Sequence, residues 1–237
     1  MKRGVFITGT DTEVGKTVIA AGLASAIKAK GIDVGIMKPV VTGATRNKGG
    51  LISDDVQFLL SAIESHDEND LVNPVALELP LAPLVASRLE EYDIDIRKIQ
   101  DAFSKLTKKH DFIVVEGIGG ILVPIKEDYC VSDMIKDMGL PVIVVSRPGL
   151  GTINHTLLTI REAQSRGIEV MGFIINGANK EETGIAERTN PKIIQELSRV
   201  PLLGIFPFDP CVDVSKLEMG DITQSTLEHI DIKKILS

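Results

Sequence analysis

The sequence has 237 residues, of which 43% are hydrophobic and 25% are charged, and this is enough for one domain, or two small ones, with a full core. The net charge of −7 argues against a surface for nucleic acid or anionic membranes, and Cys130 and Cys211 lack the spacing of a zinc site or a disulfide framework. No run resembles a signal peptide or approaches the length of a membrane span, so we expect a soluble cytoplasmic protein with no nucleic-acid or membrane partner.

Short runs rich in apolar and β-branched residues recur along the chain and predict buried strands at residues 4–9, 33–38, 112–116, 141–146, 170–175 and 202–206. The stretches between them have helical spacing at residues 16–30, 54–64, 95–109, 152–166 and 190–199. This alternation predicts a single α/β domain over residues 1–237, with helices flanking a mostly parallel central sheet. Residues 40–94 hold loops and short helices, and they look like an elaboration of a site at the carboxyl ends of the strands.

The first strand and the first helix are joined by Gly9-Thr10-Asp11-Thr12-Glu13-Val14-Gly15-Lys16-Thr17. A Gly-bounded loop that ends in Gly-Lys-Thr between a strand and a helix is typical of a phosphate-binding loop, or P-loop. In such loops backbone N–H groups hold phosphate oxygens, the Lys reaches the β- and γ-phosphates, and the Thr hydroxyl ligates Mg²⁺. The general pattern places Gly at position 10, where this chain has Thr10. We therefore predict a nucleotide-binding domain with a variant loop.

The end of the second strand and the next helix add candidate residues to the same sheet edge. Lys38 ends that strand before Pro39 and a Thr42-Gly43 turn, and its ammonium group could stabilise charge on a transferring phosphoryl group. Ser53-Asp54-Asp55 opens a helix. Its spacing fits equally well with N-capping by Ser53 or Asp54 and with a second carboxylate for Mg²⁺.

Two more polar clusters follow predicted strands. Glu116-Gly117-Ile118-Gly119-Gly120 has an acidic residue where P-loop proteins place a partner of Mg²⁺, and its glycines allow a ligand to approach the backbone closely. Gly149-Leu150-Gly151-Thr152-Ile153-Asn154-His155 begins a helix and suits a carboxylate or phosphate. His155 has no paired carboxylate nearby in the sequence, which favours a structural role over that of a general base.

The other histidines, His66, His110 and His229, lie in polar surroundings, and we expect them at the surface. No Ser-His-Asp or Cys-His pattern is evident in the sequence, so covalent catalysis by the protein is not predicted.

Together these segments resemble the dethiobiotin synthase family of ATP-dependent ligases, which close the ureido ring in biotin synthesis. The resemblance rests on Gly9 to Thr17, Lys38-Pro39-Val40-Val41-Thr42-Gly43, Glu116-Gly117-Ile118-Gly119-Gly120, Gly151-Thr152-Ile153-Asn154-His155, Asn176 and Leu203-Gly204-Ile205-Phe206-Pro207. It therefore covers nearly the whole chain, in order.

The resemblance implies a homodimer that converts 7,8-diaminononanoate, CO2 and Mg·ATP into dethiobiotin, ADP and phosphate. It implies catalytic roles for Lys16 and Lys38, and it implies Mg²⁺ ligation by Thr17, Asp54 and Glu116. Substrate contacts would come from Thr12 and Thr42 and, across the subunit interface, from Gly151, Thr152, Ile153 and Asn154. The implied ATP contacts are Glu13, Val14, Gly15, Lys16, Thr17, Val18, Asp54, Glu116, Gly117, Ile118, Gly119, Asn176, Gly177, Pro207, Phe208 and Asp209.

Three departures from the family pattern leave alternatives open. The pair Asp54-Asp55 offers either residue as the metal ligand. Ala82-Pro83-Leu84 stands where the family tends to have Ser-Pro-His, so that His is missing. Phe208-Asp209-Pro210-Cys211-Val212 replaces the usual loop after Pro207, and this leaves the nucleotide preference open.

Two other classes of protein share a similar loop. Amidoligases of the cobyrinic or cobyric acid type carry a glutaminase domain, for which this chain is too short. Partition and site-placing ATPases carry an extra Lys early in the loop, where this chain has Thr10 or Asp11. They also need a basic face or an amphipathic C-terminal helix, and residues 223–237 are neither basic nor strongly amphipathic. Both differences favour the dethiobiotin synthase family over these two classes.

Overall fold

The structure, a computed structural model, describes residues 4–47, 50–179 and 184–237. Numbered in chain order, its strands are β1 (Gly4–Gly9), β2 (Val34–Met37), β3 (Val40–Val41), β4 (Thr45–Asn47), β5 (Gly50–Ile52), β6 (Val75–Ala76), β7 (Phe112–Gly120), β8 (Pro124–Lys126), β9 (Tyr129–Cys130), β10 (Val142–Ser146), β11 (Val170–Ala178), β12 (Leu202–Pro207), β13 (Val212–Asp213) and β14 (Glu218–Met219). Its helices are α1 (Lys16–Lys28), α2 (Asp54–Ala62), α3 (Asn69–Val72), α4 (Pro83–Leu89), α5 (Ile96–Lys109), α6 (Val131–Met138), α7 (Thr152–Ser165), α8 (Ile185–Ser198), α9 (Ile222–His229) and α10 (Ile232–Leu236). Among these described helices, none combines the length and the apolar content needed to cross a membrane.

Within the described residues, six strands form one parallel sheet in the order β12-β11-β10-β1-β7-β2. Side chains of the central strand β1 alternate between two buried faces. Val5 and Ile7 pack with α1, whereas Phe6 packs with α5 and α6 on the opposite face. Because both faces are covered, the strands are almost continuously apolar. The expected fold, a mostly parallel sheet flanked by helices, is confirmed.

All six predicted strands are present, and two of them continue further than predicted. β7 runs through Gly120, so Glu116 lies inside the strand and not at its end. The extension follows a shift in its pairing with β1. β11 likewise runs to Ala178 and includes Asn176. Glycines weaken the strand pattern in a sequence, and here pairing with neighbouring strands outweighs that weakness.

The helices differ from the prediction in the start of α8 and in the presence of α6, α9 and α10, which were not predicted. Four predicted helices correspond to α1, α2, α5 and α7 within two residues at each end. The fifth, α8, begins at Ile185 instead of residue 190, and Pro191 lies inside it. Helix α6 was not predicted at all, although it lies between β7 and β10 and packs against the sheet.

At the end of the sheet opposite the P-loop, His110 is half-buried in a polar cluster, so it is less exposed than predicted. Its side chain is 10% exposed, and its two ring nitrogens contact Asp33 at 3.1 Å and Asp67 at 3.0 Å. The Asp67 carboxylate also accepts hydrogen bonds from Ser65 and Lys109. The cluster joins the connection between α2 and α3 to the starts of β2 and β7. Local polarity in the sequence gave no sign of these long-range partners.

The residues after β12 fold back against the outer side of that strand. Ile230 pairs with Gly204 in an isolated antiparallel bridge, and the Asp231 N–H donates to the Leu203 carbonyl at 2.8 Å. The approach is close enough that a Cβ atom at position 204 would lie 2.2 Å from the carbonyl oxygen of His229. Glycine is therefore needed at this position for steric reasons.

Candidate active site

The loop between β1 and α1 has the backbone geometry of an anion site. Gly15 directly precedes α1 with a φ of 83°, a left-handed conformation that glycine adopts without strain. The first turn of α1 carries no acidic residue of its own, so the helix contributes its positive dipole end to the loop. Lys16 Nζ donates to the carbonyl oxygen of Asp11 at 2.9 Å and so bends back over the loop. This arrangement suits phosphate oxygens.

A buried ionic cluster lies beside the loop. Lys38 Nζ donates to Glu116 Oε1 at 2.6 Å and to Asp55 Oδ2 at 2.5 Å. The Thr17 hydroxyl donates to the same Glu116 oxygen at 2.9 Å. Lys38 and Glu116 are buried, whereas the Asp55 side chain is partly exposed. The parallel sheet thus brings side chains from β7, α1, α2 and the end of β2 to one point.

Burial and charge act in opposite directions on the ionisable groups of this cluster. Burial acts to lower the pKa of Lys38, but the carboxylates of Glu116 and Asp55 outweigh it, and the pKa of Lys38 is raised. Burial raises the pKa of Glu116, with the charge of Lys38 opposing that effect. Burial lowers the pKa of Lys16 despite the nearby charge of Glu116. Lys38 is therefore the more firmly protonated of the two lysines.

A cleft of about 350 Å³ opens over the loop and the cluster. It brings together residues from three of the four polar clusters that were predicted to share this sheet edge. Its lining consists of Thr12, Glu13, Gly15, Lys16, Thr17, Val18, Lys38, Val41, Thr42, Asp55, Glu116, Gly117, Ile118, Gly119 and Val214.

Of the two adjacent aspartates, the structure brings Asp55 to the cleft and leaves Asp54 outside its lining. Asp54 is exposed, whereas Asp55 contacts Lys38. Consecutive residues of an α-helix point about 100° apart, so only one of the pair can face the cleft. The structure therefore favours Asp55 over Asp54 as the residue that faces a ligand in the cleft, and the binding of nucleotide and metal stays a prediction. Ser53 makes no side-chain hydrogen bond as the N-cap of α2.

Asn176, one of the implied ATP contacts, touches the P-loop itself. Its side-chain amide donates to the carbonyl oxygen of Val14 at 2.9 Å. The packing is tight, because a Cβ atom on Gly15 would lie 1.9 Å from the same amide nitrogen. Gly177 follows in β11 with a φ of 80°. Asn176 and Gly177, beside the loop, and the buried Val14, within it, do not line the cleft.

Three other implied ATP contacts, Pro207, Phe208 and Asp209, lie at the end of the neighbouring strand β12 and directly after it. Pro207 ends β12 at the edge that carries the loop. The Phe208 side chain is 63% exposed, while its N–H donates to the carbonyl of Ala178. The Asp209 carboxylate accepts the N–H of Cys211 and shapes the turn that follows. None of the three lines the cleft described above.

The fourth polar cluster, at the start of α7, does not reach the cleft of its own chain. Gly151 precedes the helix with a φ of 90°, and Thr152 is buried with its hydroxyl 3.4 Å from that of Thr156. Ile153 is half-buried, and Asn154 and His155 are exposed. None of residues 151–155 lines the cleft.

Two features of the site were missed in the sequence. Arg147, directly after β10, donates to the Asp11 carboxylate at 2.8 Å and ties this strand end to the P-loop. A basic residue at the end of a parallel strand was the signal that could have found it. Val214, in the turn after β13, lines the cleft. No local pattern identifies it, because only the fold brings this distant segment to the loop.

The residues present fit a magnesium ion. Glu116 Oε2 is buried and has no hydrogen-bond partner among the described residues. Asp55 and Thr17 add a carboxylate and a hydroxyl, which are oxygen ligands of the kind that Mg²⁺ prefers. Within residues 4–47, 50–179 and 184–237, no group of three or more His, Cys, Asp or Glu side chains is arranged to hold a metal. The fit therefore relies on the Thr hydroxyl and on phosphate oxygens as well as on the two carboxylates.

Comparison with known proteins finds relatives along the whole chain. A family model described as an AAA domain matches residues 3–215. The chain is similar to the ATP-dependent dethiobiotin synthetase BioD of Thermodesulfovibrio yellowstonii, with 45% identity over 100% of both chains. It is also similar to the ATP-dependent dethiobiotin synthetase BioD of Bacillus velezensis, with 40% identity over 99% of this chain and 97% of the other.

Among solved structures, the chain is similar to the cell division ATPase MinD of Pyrococcus furiosus. The TM-score is 0.56, the identity is 16%, and the match covers 100% of this chain and 97% of the other. At this identity the likeness concerns the fold alone. It confirms the prediction of a P-loop NTPase-like fold.

Proposed function

Because the chain belongs to the dethiobiotin synthetase family, we propose that it is a Mg·ATP-dependent ligase that carboxylates 7,8-diaminononanoate and closes the ring of dethiobiotin. The observation that carries this proposal is a second buried lysine at the P-loop. Lys38 lines the same cleft as Lys16 and is held by Glu116 and Asp55. Two lysines in one cleft can stabilise the two anions that such a ligase joins.

The proposed reaction has three steps. One amine of the substrate adds to CO2 and loses a proton, which gives a carbamate. A carbamate oxygen attacks the γ-phosphorus of ATP, the bond to the ADP oxygen breaks, and a carbamic–phosphoric anhydride forms. The second amine attacks the carbonyl carbon and loses a proton, phosphate leaves, and the five-membered urea closes. No bond to the protein forms in this sequence, so the protein acts by positioning and by electrostatic stabilisation.

We assign the phosphates to the loop from Glu13 to Val18 and to the glycine-rich segment from Glu116 to Gly119, because every residue of the two segments except Val14 lines the cleft. Lys16 and Lys38 would neutralise the phosphoryl and carbamate oxygens during transfer. Asp55, Glu116 and the Thr17 hydroxyl would hold Mg²⁺. When bound, this ion supplies charge neutralisation at the β- and γ-phosphate oxygens.

For the diamine end of the substrate we propose Thr12 and Thr42, both of which line the cleft. For the far carboxylate we propose the start of α7, from Gly151 to Asn154, in the partner subunit. This segment is kept out of the cleft of its own chain, and its N–H groups suit an anion. Leu150, which is 89% exposed, supports the proposed homodimer, because a contact between subunits would cover it.

Release of ADP from ATP tests the proposed function. With bicarbonate present, ADP should appear only when 7,8-diaminononanoate is added, because the nucleophile for the γ-phosphate is the carbamate of that amine. Hydrolysis of ATP that does not respond to the diamine would contradict the proposal and would favour a nucleotide-switched ATPase.

The variant Lys38→Ala tests the assignment of the second cation. It should reduce ring closure by about a hundredfold or more, since a preorganised charge at the transferring group is lost. Binding of Mg·ATP should remain largely intact, because the P-loop is unchanged. Lys105→Ala, at an exposed position of α5, is the matched control and should keep normal turnover. Normal turnover by Lys38→Ala would remove Lys38 from the mechanism.

A further inference from the structure

The carboxylate oxygens that the proposed function assigns to the metal are held by an ammonium group of the chain itself. Glu116 Oε1 and Asp55 Oδ2 accept hydrogen bonds from Lys38 Nζ at 2.6 Å and 2.5 Å. We propose that Lys38 is a displaceable counter-ion, which a divalent cation drives off these carboxylates and towards the anionic substrate. This inference rests on the proposed function for the identity of the metal ligands.

The first reason for this inference is the charge balance of the cluster. The Glu116 side chain is 1% exposed, and a carboxylate so deeply buried needs a counter-charge. Lys38 provides it by direct contact, whereas Lys16 donates to a backbone carbonyl and touches neither carboxylate. A divalent cation on the same oxygens would supply the counter-charge instead. It would also repel the ammonium group at very short range.

The second reason is that only the side chain of Lys38 has to move. The Lys38 N–H donates to the carbonyl of Val72 at 2.8 Å, and the side-chain amide of Asn73 donates to the Lys38 carbonyl at 2.8 Å. The backbone is therefore fixed, while a stem of four methylene groups joins it to the ammonium group. Lys38 also lines the cleft in which we place the phosphates. Its release from the carboxylates leaves the substrate anions as its nearest partners.

This arrangement couples two events in the reaction. Lys38 becomes available to the carbamate and the γ-phosphate only after the metal has taken over Glu116 and Asp55. Metal binding thus prepares the second catalytic cation, in addition to neutralising the phosphates. A site without metal holds the same lysine away from its substrate role.

Binding of Mn²⁺ without nucleotide, measured by electron paramagnetic resonance at about pH 8, tests the competition. Lys38→Met keeps the length of the side chain and removes its charge, so Mn²⁺ should bind at least about tenfold more tightly than to the wild type. Lys16→Met is the matched control. It removes a nearby charge that touches neither carboxylate, and it should give a clearly smaller gain. An unchanged or weaker affinity in folded Lys38→Met, or an equal gain in Lys16→Met, would overturn the inference.

A second measurement uses the wild-type protein, so its result does not depend on the stability of a variant. Heteronuclear NMR should detect the Lys38 ammonium group, because two carboxylates protect it from rapid exchange with water. Absence of the signal from Lys38→Arg assigns it. Addition of Mg²⁺ alone should shift or broaden this signal at the concentrations that fill the site. A signal that stays unchanged at saturating Mg²⁺ would show that the lysine keeps its carboxylates, contrary to the inference.

Failure of this inference can be told apart from failure of the proposed function. Neither measurement contains ATP, CO2 or the diamine, whereas diamine-dependent release of ADP needs all three. A protein that turns over the diamine but shows no metal competition keeps its function and loses only this inference. If the protein shows the competition but no turnover of the diamine, the result supports the role of Lys38 as a counter-ion and contradicts the proposed substrate.

Discussion

Glu116 is a single carboxylate whose two oxygens have different surroundings. Oε1 accepts hydrogen bonds from Lys38 and Thr17, whereas Oε2 is buried without a partner among the described residues. A buried polar atom without a hydrogen bond costs about 1–3 kcal/mol. Native proteins tolerate such a cost mainly where a ligand, ion or water completes the site. At the scale of residues, the unpartnered Oε2 therefore marks the position at which a ligand, an ion or a water completes the site.

The two adjacent aspartates of α2 provide a matched test of the metal site. Asp55→Asn should weaken Mg²⁺-dependent binding of an ATP analogue by about tenfold or more, because one ligand and its charge are lost. Asp54→Asn should leave this binding unchanged, because Asp54 is exposed and outside the cleft lining. Calorimetric titration with and without Mg²⁺ measures both effects. A larger effect of Asp54→Asn would return the assignment to the first aspartate.

At the scale of elements, the cluster around Asp67 joins parts of the chain that are distant in sequence. Its carboxylate is 2% exposed and contacts Lys109 and His110, which lie directly before β7. It also accepts the hydroxyl hydrogen bond of Ser65 in its own segment. The cluster fixes the connection that follows α2, the helix that carries Asp55. The cluster therefore affects the active site by fixing the position of α2.

Replacement of Asp67 should destabilise the fold. Asp67→Asn removes the charge that Lys109 and His110 share, and we expect the free energy of unfolding to fall by about 1–3 kcal/mol at neutral pH. Urea denaturation measures this difference. Asp70→Asn, at an exposed position of α3, is the control and should change stability by less than about 0.5 kcal/mol. Equal stability of the two variants would contradict the role of the cluster.

The loss of stability in Asp67→Asn should depend on pH. Burial acts to raise the pKa of Asp67, but the hydrogen bonds from Lys109 and Ser65 and the charge of His110 outweigh it, and the pKa is lowered. A carboxylate with a lowered folded-state pKa stabilises the protein above its unfolded-state pKa and loses that contribution as the pH falls. The difference between wild type and Asp67→Asn should therefore be complete at neutral pH and shrink below about pH 4.

The sheet could be predicted because its strands are buried on both faces and leave an unbroken apolar pattern, as in Phe112-Ile113-Val114-Val115. The edge of the sheet that carries the site could then be predicted, because parallel strands end at the same edge. Helix α6 could not be predicted, because eight residues are too few to show a clear period. The choice between Asp54 and Asp55 could not be predicted, because it depends on how α2 is rotated about its own axis. The position of Val214 could not be predicted either, because it depends on long-range packing. The extent of a single domain and the cytoplasmic location stay predictions.

At the scale of the whole molecule, mixed dimers test whether two subunits share one site. Lys38→Ala disables the loop side, and Asn154→Asp places a negative charge at the exposed start of α7, where we expect the substrate carboxylate. Each variant alone should be nearly inactive. Co-expressed subunits should regain about a quarter of wild-type turnover, because half of the dimers are mixed and each has one intact site. Sedimentation confirms the dimers, and mixed dimers without regained turnover would contradict a shared site.

The bridge between Gly204 and Ile230 has a consequence that lies outside catalysis. β12 is the last strand on its side of the sheet, and an uncovered last strand offers unpaired N–H and C=O groups to other chains. Ile230 and Asp231 occupy part of that row. Residues 222–236 therefore protect the protein against edge-to-edge aggregation. A change that lifts this segment, such as a side chain at position 204, would first appear as concentration-dependent precipitation, while the chemistry at the far strands continues.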